Sequence, residues 1–158
     1  VRALDFDDDD EKLSDFISAA RDHIEKYCNT RFASQTVTIK CDSFTDFARF
    51  PEAPVASITS IAYVDTNGAT QTLSTDVYEL RADGLEASIV TKFGQVWPTI
   101  QRDSRITVVA AVGYDTAPPA VKHALLVWLS DANEMRENAA VPDWTALDSL
   151  LCNFRRGA

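Results

Sequence analysis

The sequence changes from a strand pattern to a helix pattern within residues 105–129, which read RITVVAAVGYDTAPPAVKHALLVWL. Alternation puts four apolar side chains on one face of a predicted strand: Ile106, Val108, Ala110 and Val112. Val109 and Ala111 make the other face apolar too, so this strand is predicted to be central in its sheet. Pro118 and Pro119 then open a helix to about Asn138, because proline suits the first helical turn.

The predicted helix after Pro118 has a wide apolar surface. Its main stripe has seven members: Val121, Ala124, Leu125, Trp128, Leu129, Ala132 and Met135. Leu126 and Val127 widen this stripe, so the helix is expected to be covered on more than one side, and a neighbouring subunit could supply the extra cover. A last short helix is predicted after Pro142 and ends at Arg155 and Arg156, whose charges complement the helix dipole.

The sequence before residue 105 predicts one long helix followed by short strands. Apolar residues at spacings of three and four predict a helix over residues 9–29, with acidic residues in its first turns. Alternation predicts a strand over 36–41, and an Asn-Gly turn joins strands 57–64 and 70–73 in a hairpin. Shorter strands are predicted at 77–81 and 88–91, on either side of Asp83-Gly84.

The order of these elements predicts an α+β fold. It consists of a long N-terminal helix, a block of about six short antiparallel strands and then two C-terminal helices. The length of 158 residues favours a single domain, with the β-rich insertion at about 35–112 between helices.

Composition excludes several classes of protein. The net charge is −9, from 15 basic and 24 acidic residues, which argues against a protein that grips nucleic-acid phosphates. The first 25 residues hold nine of the acids and are unlike a basic leader, and no apolar run is long enough to span a membrane. Three widely spaced cysteines suit a reducing cytoplasm and are expected to be small core residues rather than nucleophiles.

The sequence carries none of the common catalytic signatures. It has no phosphate-binding glycine loop, no dinucleotide fingerprint and no nucleophile elbow, and His23 and His123 lie apart from any candidate nucleophile. The acidic run at residues 7–11 could bind calcium or magnesium, but it lacks the glycine and the alternation of a calcium loop. A solvated helix start or an acidic surface facing a partner is the favoured interpretation, and no catalytic, cofactor-binding or metal-binding residue is predicted.

Several segments together resemble the head-to-tail connector, or adaptor, proteins of long-tailed bacteriophages, prophages and gene transfer agents. The segments in the strand block are residues 56–65 (ASITSIAYVD), Asn67-Gly68, residues 71–73 and Tyr78. Those around the helices are residues 8–10, Leu13, Phe16-Ile17, residues 19–21, Ile24-Glu25, residues 30–32 (TRF), 111–114 (AVGY), 119–122 (PAVK) and 134–137 (EMRE). Family members usually carry a further short helix before the acidic run, where only residues 1–4 stand here.

The resemblance implies a structural role and no enzyme activity. Such adaptors form a ring matched to the dodecameric portal protein, join it to the stopper and tail proteins, and extend the channel through which DNA passes without specific binding. The location implied is the neck of a virion or phage-like particle, after synthesis in the bacterial cytoplasm, with no membrane contact and no cofactor. The whole chain, 1–158, would then be one head-tail adaptor domain.

The resemblance also implies that the C-terminal region docks on the portal. The residues assigned to this contact are Trp144, Leu147, Leu150, Leu151, Phe154, Arg155 and Arg156. The alternative is that the same stripe packs within its own bundle. Two other functions stay open: another neck component, such as a stopper or tail-completion protein, and a small metal-dependent hydrolase using the acidic run. A DNA-binding regulator is the weakest alternative, because the chain lacks a basic recognition helix.

Overall fold

The protein is described by a computed structural model covering residues 6–134 and 145–157. Its helices are α1 (Phe6–Cys28), α2 (Pro119–Glu134) and α3 (Ala146–Leu151), and two short 3-10 helices span Phe44–Ala48 and Cys152–Phe154. Its strands are β1 (Gln35–Cys41), β2 (Val55–Val64), β3 (Thr70–Thr72), β4 (Tyr78–Asp83), β5 (Glu86–Thr91) and β6 (Ile106–Val112). The predicted α+β class and order of elements are therefore confirmed. The chain forms two compact units, a strand unit of residues 33–116 and a helical unit of the remaining residues.

The strand unit is built around β6. Its main sheet has the order β1-β6-β2-β3, and every neighbouring pair is antiparallel. The four alternating apolar residues predicted on one face of β6 are all fully buried, which confirms both the strand and its central place. A second sheet pairs β4 with β5, and Phe47 and Phe50, on or just after the first 3-10 helix, are fully buried in the same core.

The predicted hairpin between β2 and β3 is confirmed, and Asp65 organises its turn. The carboxylate of Asp65 accepts hydrogen bonds from the amides of Asn67 (2.8 Å) and Ala69 (3.0 Å) and from the side chain of Gln71 (3.0 Å). These bonds, with that from Gln71 the largest cause, hold the pKa of Asp65 below its ordinary value. Gly68 has φ of +82°, a conformation that glycine adopts without strain.

The helical unit buries one side of α1 and of α2. Ala20, Ile24 and Cys28 on α1 are fully buried, as are Val121 and Ala124 on α2. The helix predicted over residues 9–29 begins three residues earlier, at Phe6, and ends at Cys28 because Asn29 takes a left-handed conformation with φ of +50°. The predicted end of α2 near Asn138, and Met135 of its stripe, lie outside the described residues.

The cysteines divide between core and surface. Cys28 and Cys41 are buried as expected, whereas Cys152 is exposed, so the prediction of a core position is wrong for this residue. Burial raises the pKa of Cys28 to about 11, and that of Cys41 is also raised by burial. Neither buried thiol is therefore an activated nucleophile. Within the described residues, no helix is long and apolar enough to cross a membrane.

Candidate assembly surface

The C-terminal segment assigned to portal docking begins with a capped helix. Trp144, the first residue of that assignment, lies outside the described residues. Thr145 caps α3: its hydroxyl accepts a hydrogen bond from the Asp148 amide (3.3 Å), while the Asp148 carboxylate accepts one from the Thr145 amide (2.8 Å). This reciprocal pair satisfies amide groups at the start of a six-residue helix that would otherwise have no partner.

Tyr27, near the end of α1, binds the same carboxylate. Its hydroxyl donates a hydrogen bond to Asp148 Oδ1, and the guanidinium of Arg155 lies 5.0 Å from the centre of the Tyr27 ring. The hydrogen bonds from Tyr27 first, and then from Thr145, lower the pKa of Asp148, and the bond to Asp148 raises the pKa of Tyr27. One tyrosine thus contacts both the start and the end of the C-terminal segment.

The chain after α3 is also bonded to the end of α1. The hydroxyl of Thr30 donates to the Phe154 carbonyl (2.9 Å), and the Arg156 amide donates to the Cys28 carbonyl (2.8 Å). The Phe154 ring meets the Phe32 ring edge to face, with centroids 5.9 Å apart. Thr30 and Phe32, within the segment quoted above for the family resemblance, therefore hold Phe154 against the end of α1.

The buried Glu25 positions this turn. Its carboxylate accepts a hydrogen bond from the Phe32 amide (2.8 Å) and lies 3.6 Å from the Arg31 guanidinium. Glu25 is only 7% exposed, and a buried carboxylate needs such partners because water is excluded from it. The ion pair and hydrogen bond thus fix the backbone of Arg31 and Phe32, whose ring Phe154 packs against.

The residues assigned to docking fall into two groups. Leu151 is fully buried, Arg156 is 6% exposed and Phe154 is half-buried against Phe32. These three serve the packing of the helical unit itself. Leu147 and Leu150 are half-buried and Arg155 is exposed, so this second group presents a small apolar and basic surface along α3. The structure of the single chain thus leaves only part of the predicted stripe accessible to a partner.

Among the most exposed apolar side chains, sequence patterns singled out Leu126 but not Phe93 or Val96. Among the described residues, large hydrophobic side chains are exposed at Ile17 (46%), Leu126 (67%), Phe93 (106%) and Val96 (81%). Leu126 lies on the widened face of α2, for which a covering subunit was expected. Phe93 and Val96 lie in the loop between β5 and β6. The only feature of the sequence that could have indicated their exposure is two large apolar residues on either side of Gly94, outside any strand pattern.

The candidate metal-binding and catalytic residues are spread apart in the described part of the chain. Where side chains are described, no group of three or more histidine, cysteine or acidic residues is placed to hold a metal ion. The acidic run at residues 7–11 lies in the first turns of α1, and its alternative as a cation site falls on side chains outside the described set. The His23 ring packs on Trp128, with ring centroids 5.9 Å apart, so His23 contributes to the packing of α1 and α2.

Comparison with known proteins identifies the class of protein. Residues 3–80 match the family model of phage gp6-like head-tail connector proteins. The resemblance predicted from the sequence is thereby confirmed, and the protein is a structural connector of the head-tail type. No curated protein matches the chain.

Solved structures share the whole fold. A chain in the neck of an empty gene transfer agent particle, computed with C6 symmetry, aligns with a TM-score of 0.81 at 19% identity, covering 100% of this chain and 84% of that one. A chain in the neck of the native particle, computed with C12 symmetry, gives 0.78 at 19% identity, covering 100% and 94%. A chain in the native gene transfer agent virion gives 0.80 at 19% identity, covering 100% and 81%.

Proposed function

We propose that the protein is a ring-forming adaptor in the neck of a tailed phage or gene transfer agent particle. In this role it joins the portal to the stopper and tail and extends the channel for DNA, without catalysis. The observation that carries the proposal is the match of residues 3–80 to the head-tail connector family. The fold shared over the whole chain with proteins of gene transfer agent necks, computed with sixfold or twelvefold symmetry, supports a ring.

The charge of the chain suits a channel wall. A net charge of −9 repels DNA phosphates, and a wall that held DNA tightly would oppose its passage. Weak, non-specific contact with DNA is therefore what this composition favours.

The contact with the portal is proposed for the accessible part of the C-terminal segment. Leu147 and Leu150 supply apolar surface and Arg155 supplies a charge, while the buried Leu151 and Arg156 and the half-buried Phe154 keep the segment in place. Trp144 belongs to the same proposed contact. A central apolar patch with a charged rim is the usual composition of a specific protein interface.

Native mass spectrometry of the chain, alone and mixed with its cognate portal ring, tests the adaptor role. We expect a monomer or loose oligomer that becomes a ring of fixed stoichiometry on the portal. Binding to the tail tube instead of the portal would show a stopper or tail-completion protein. A chain that binds neither would overturn the proposal.

Two substitution sets test the docking surface. The pair Leu150→Ala and Arg155→Ala is expected to weaken portal binding by at least tenfold, with an unchanged circular dichroism spectrum. The control is Arg81→Ala, which removes an exposed basic side chain on β4, outside the C-terminal segment. Equal portal binding by both variants would remove the C-terminal segment from the portal contact.

A further inference from the structure

The loop between β5 and β6 exposes the apolar side chains of Phe93 and Val96 to solvent. We call these two residues the apolar knob. Phe93 is 106% exposed and Val96 is 81% exposed, the two highest values among the large hydrophobic residues described. A single exposed apolar residue is ordinary, but two such residues three positions apart at the start of one loop form a small patch that a partner can cover.

The loop holds the knob in a fixed conformation. Residues 92–95 form a type II turn in which Phe93 is the second residue. The Gln95 amide donates to the Lys92 carbonyl (2.9 Å), and Gly94, the third residue, has the positive φ (+76°) that this turn requires. Lys92 is tied by its amide to the Val77 carbonyl (2.9 Å) and by its Nζ to the Thr75 carbonyl (2.8 Å). The backbone of this turn is therefore already ordered, so binding adds only the cost of ordering the two exposed side chains.

The other stem of the loop is fixed by aromatic packing. The Trp97 ring stacks on Phe44 with centroids 4.7 Å apart and planes at 3°, and it meets Phe47 edge to face at 5.5 Å. Phe44 begins the first 3-10 helix, three residues after the end of β1 at Cys41. The chain enters and leaves the strand unit at the opposite end of β1, where Gln35 pairs with Val112. The knob thus lies at the end of the strand unit remote from the points of chain entry and exit.

The same unit offers a surface that suits an apolar knob. The outer face of the main sheet, opposite the core, carries three rows set by the strand register: Thr36, Ala111 and Ser57; Thr38, Val109 and Ser60; Lys40, Thr107 and Ala62. Thr38 is exposed, Val109 and Ser60 are half-buried, and Lys40 is the one charged residue in these rows. The two rows without Lys40 carry only uncharged side chains, so they can cover a phenyl ring without the cost of desolvating an ion.

We propose that the apolar knob of one copy packs on the outer sheet face of a second copy, so that the strand units contact each other around the ring. The inference rests on the proposed ring. A ring needs two different complementary patches on each copy, and the knob and the sheet face are such a pair.

The size of the knob sets the strength of this contact. Two side chains bury far less than the roughly 800 Å² per partner of a stable pair. The contact is therefore weak between two separate copies, and it becomes effective when ring closure and other contacts hold the copies together.

Assembly of two charge variants on the cognate portal tests the contact. Phe93→Asp removes half of the knob, and Gln95→Asp adds the same charge to the same exposed turn while leaving the knob intact. We expect Phe93→Asp to reduce ring formation at least tenfold and Gln95→Asp to change it less than twofold. Both should melt within a few degrees of the wild type, because neither side chain is buried in the fold. Equal assembly by both variants would overturn the contact.

Disulfide trapping identifies the occupant of the sheet face. In a Cys152→Ser background, which removes the exposed native thiol, Phe93→Cys is combined with Thr38→Cys. In the control, Asp83→Cys replaces Thr38→Cys, because Asp83 is exposed at the far end of the β4–β5 hairpin from Phe93. Oxidised rings should give a ladder of covalent oligomers only with the first pair. Cross-linking of the thiol introduced by Phe93→Cys to the portal or to a tail protein would show that the knob serves another neck protein and would overturn the self-contact.

The failure of this contact can be told apart from failure of the adaptor role. Rings that form on the portal without the disulfide ladder would overturn the contact and leave the adaptor role standing. If the wild-type chain forms no ring, the adaptor role fails. The contact is then tested by oxidising the variant with Phe93→Cys and Thr38→Cys at millimolar concentration without the portal. Disulfide-linked dimers would support the contact, and their absence would overturn it.

Discussion

Gly113 occupies a position that no other residue fits. Its φ is +94°, and a Cβ atom built on it would lie 2.1 Å from the carbonyl oxygen of Ala33. Its amide also donates to the Pro54 carbonyl (2.9 Å), so the backbone cannot move away without losing that bond. The close approach of two chain segments, rather than the turn alone, demands glycine here.

Gly113→Ala is expected to lower the free energy of unfolding by about 3 kcal/mol or more, from left-handed strain together with a backbone clash. Gly84→Ala is the matched control, because Gly84 also has positive φ (+61°) but has no atom within 4 Å of the added methyl group. The control should cost only about 1 kcal/mol. Urea denaturation measures both values, and equal losses would show that the Ala33 contact yields readily.

The hydrogen bond between Tyr27 and Asp148 predicts a dependence of stability on pH. The pKa of Asp148 is lowered by Tyr27 first and by Thr145 next, so its contribution is complete above about pH 4 and is lost as the pH falls through the lowered value. The pKa of Tyr27 is raised by the bond to Asp148, so its contribution is lost as the pH rises above about 10.

Tyr27→Phe should therefore destabilise the protein most between about pH 4 and 10, and the difference should shrink outside that range. The variant keeps the ring below Arg155, so only the hydroxyl is tested. Thermal melts of the wild type and the variant from pH 3 to 7 measure the lower limit. In the control, an Asp148→Asn background, the loss of stability caused by Tyr27→Phe should not change with pH in this way. A loss of stability that stays constant down to pH 3 in the wild-type background would show that the Tyr27–Asp148 bond does not cause it.

At the scale of elements, α3 and the residues after it depend on contacts with α1. Phe154→Ala removes a half-buried ring and is expected to cost about 1–2 kcal/mol, less than the 3–5 kcal/mol of a fully buried phenylalanine. The Arg156 amide, bonded to the Cys28 carbonyl, is the reporter: its hydrogen exchange should become faster in the variant. Cys152→Ala changes an exposed residue of the same segment and should leave that exchange unchanged.

The elements themselves follow from local patterns, and their contacts do not. Alternation predicted β6 and its buried face, and the Asn-Gly turn predicted the hairpin, because both depend on neighbouring residues. The bond between Tyr27 and Asp148 joins positions 121 apart, which no periodicity indicates. The exposure of Phe93 likewise depends on the turn at Gly94 and on the stacking of Trp97, so the sequence alone showed only an apolar residue near a glycine.

At the scale of the whole molecule, the strand unit has the connections of an inserted domain. The chain enters it before Gln35 and leaves it after Val112, and these two residues are paired across β1 and β6. Its core also draws on its own strands and 3-10 helix, including Phe47, Ile61 and Val108, all fully buried. Adjacent ends and a separate core are the properties of units that fold when excised.

Residues 33–116 alone are therefore expected to fold, and Trp97 reports on them, because the other two tryptophans, Trp128 and Trp144, lie outside this range. We expect a single cooperative urea transition in Trp97 fluorescence, since Trp97 is packed on Phe44 and Phe47 in the folded unit. The control is the full chain with Trp128→Phe and Trp144→Phe, which reports the same residue. Matching midpoints would show that the strand unit owes its stability to its own core, whereas a fragment without a transition would show that the insertion folds only with the rest of the chain.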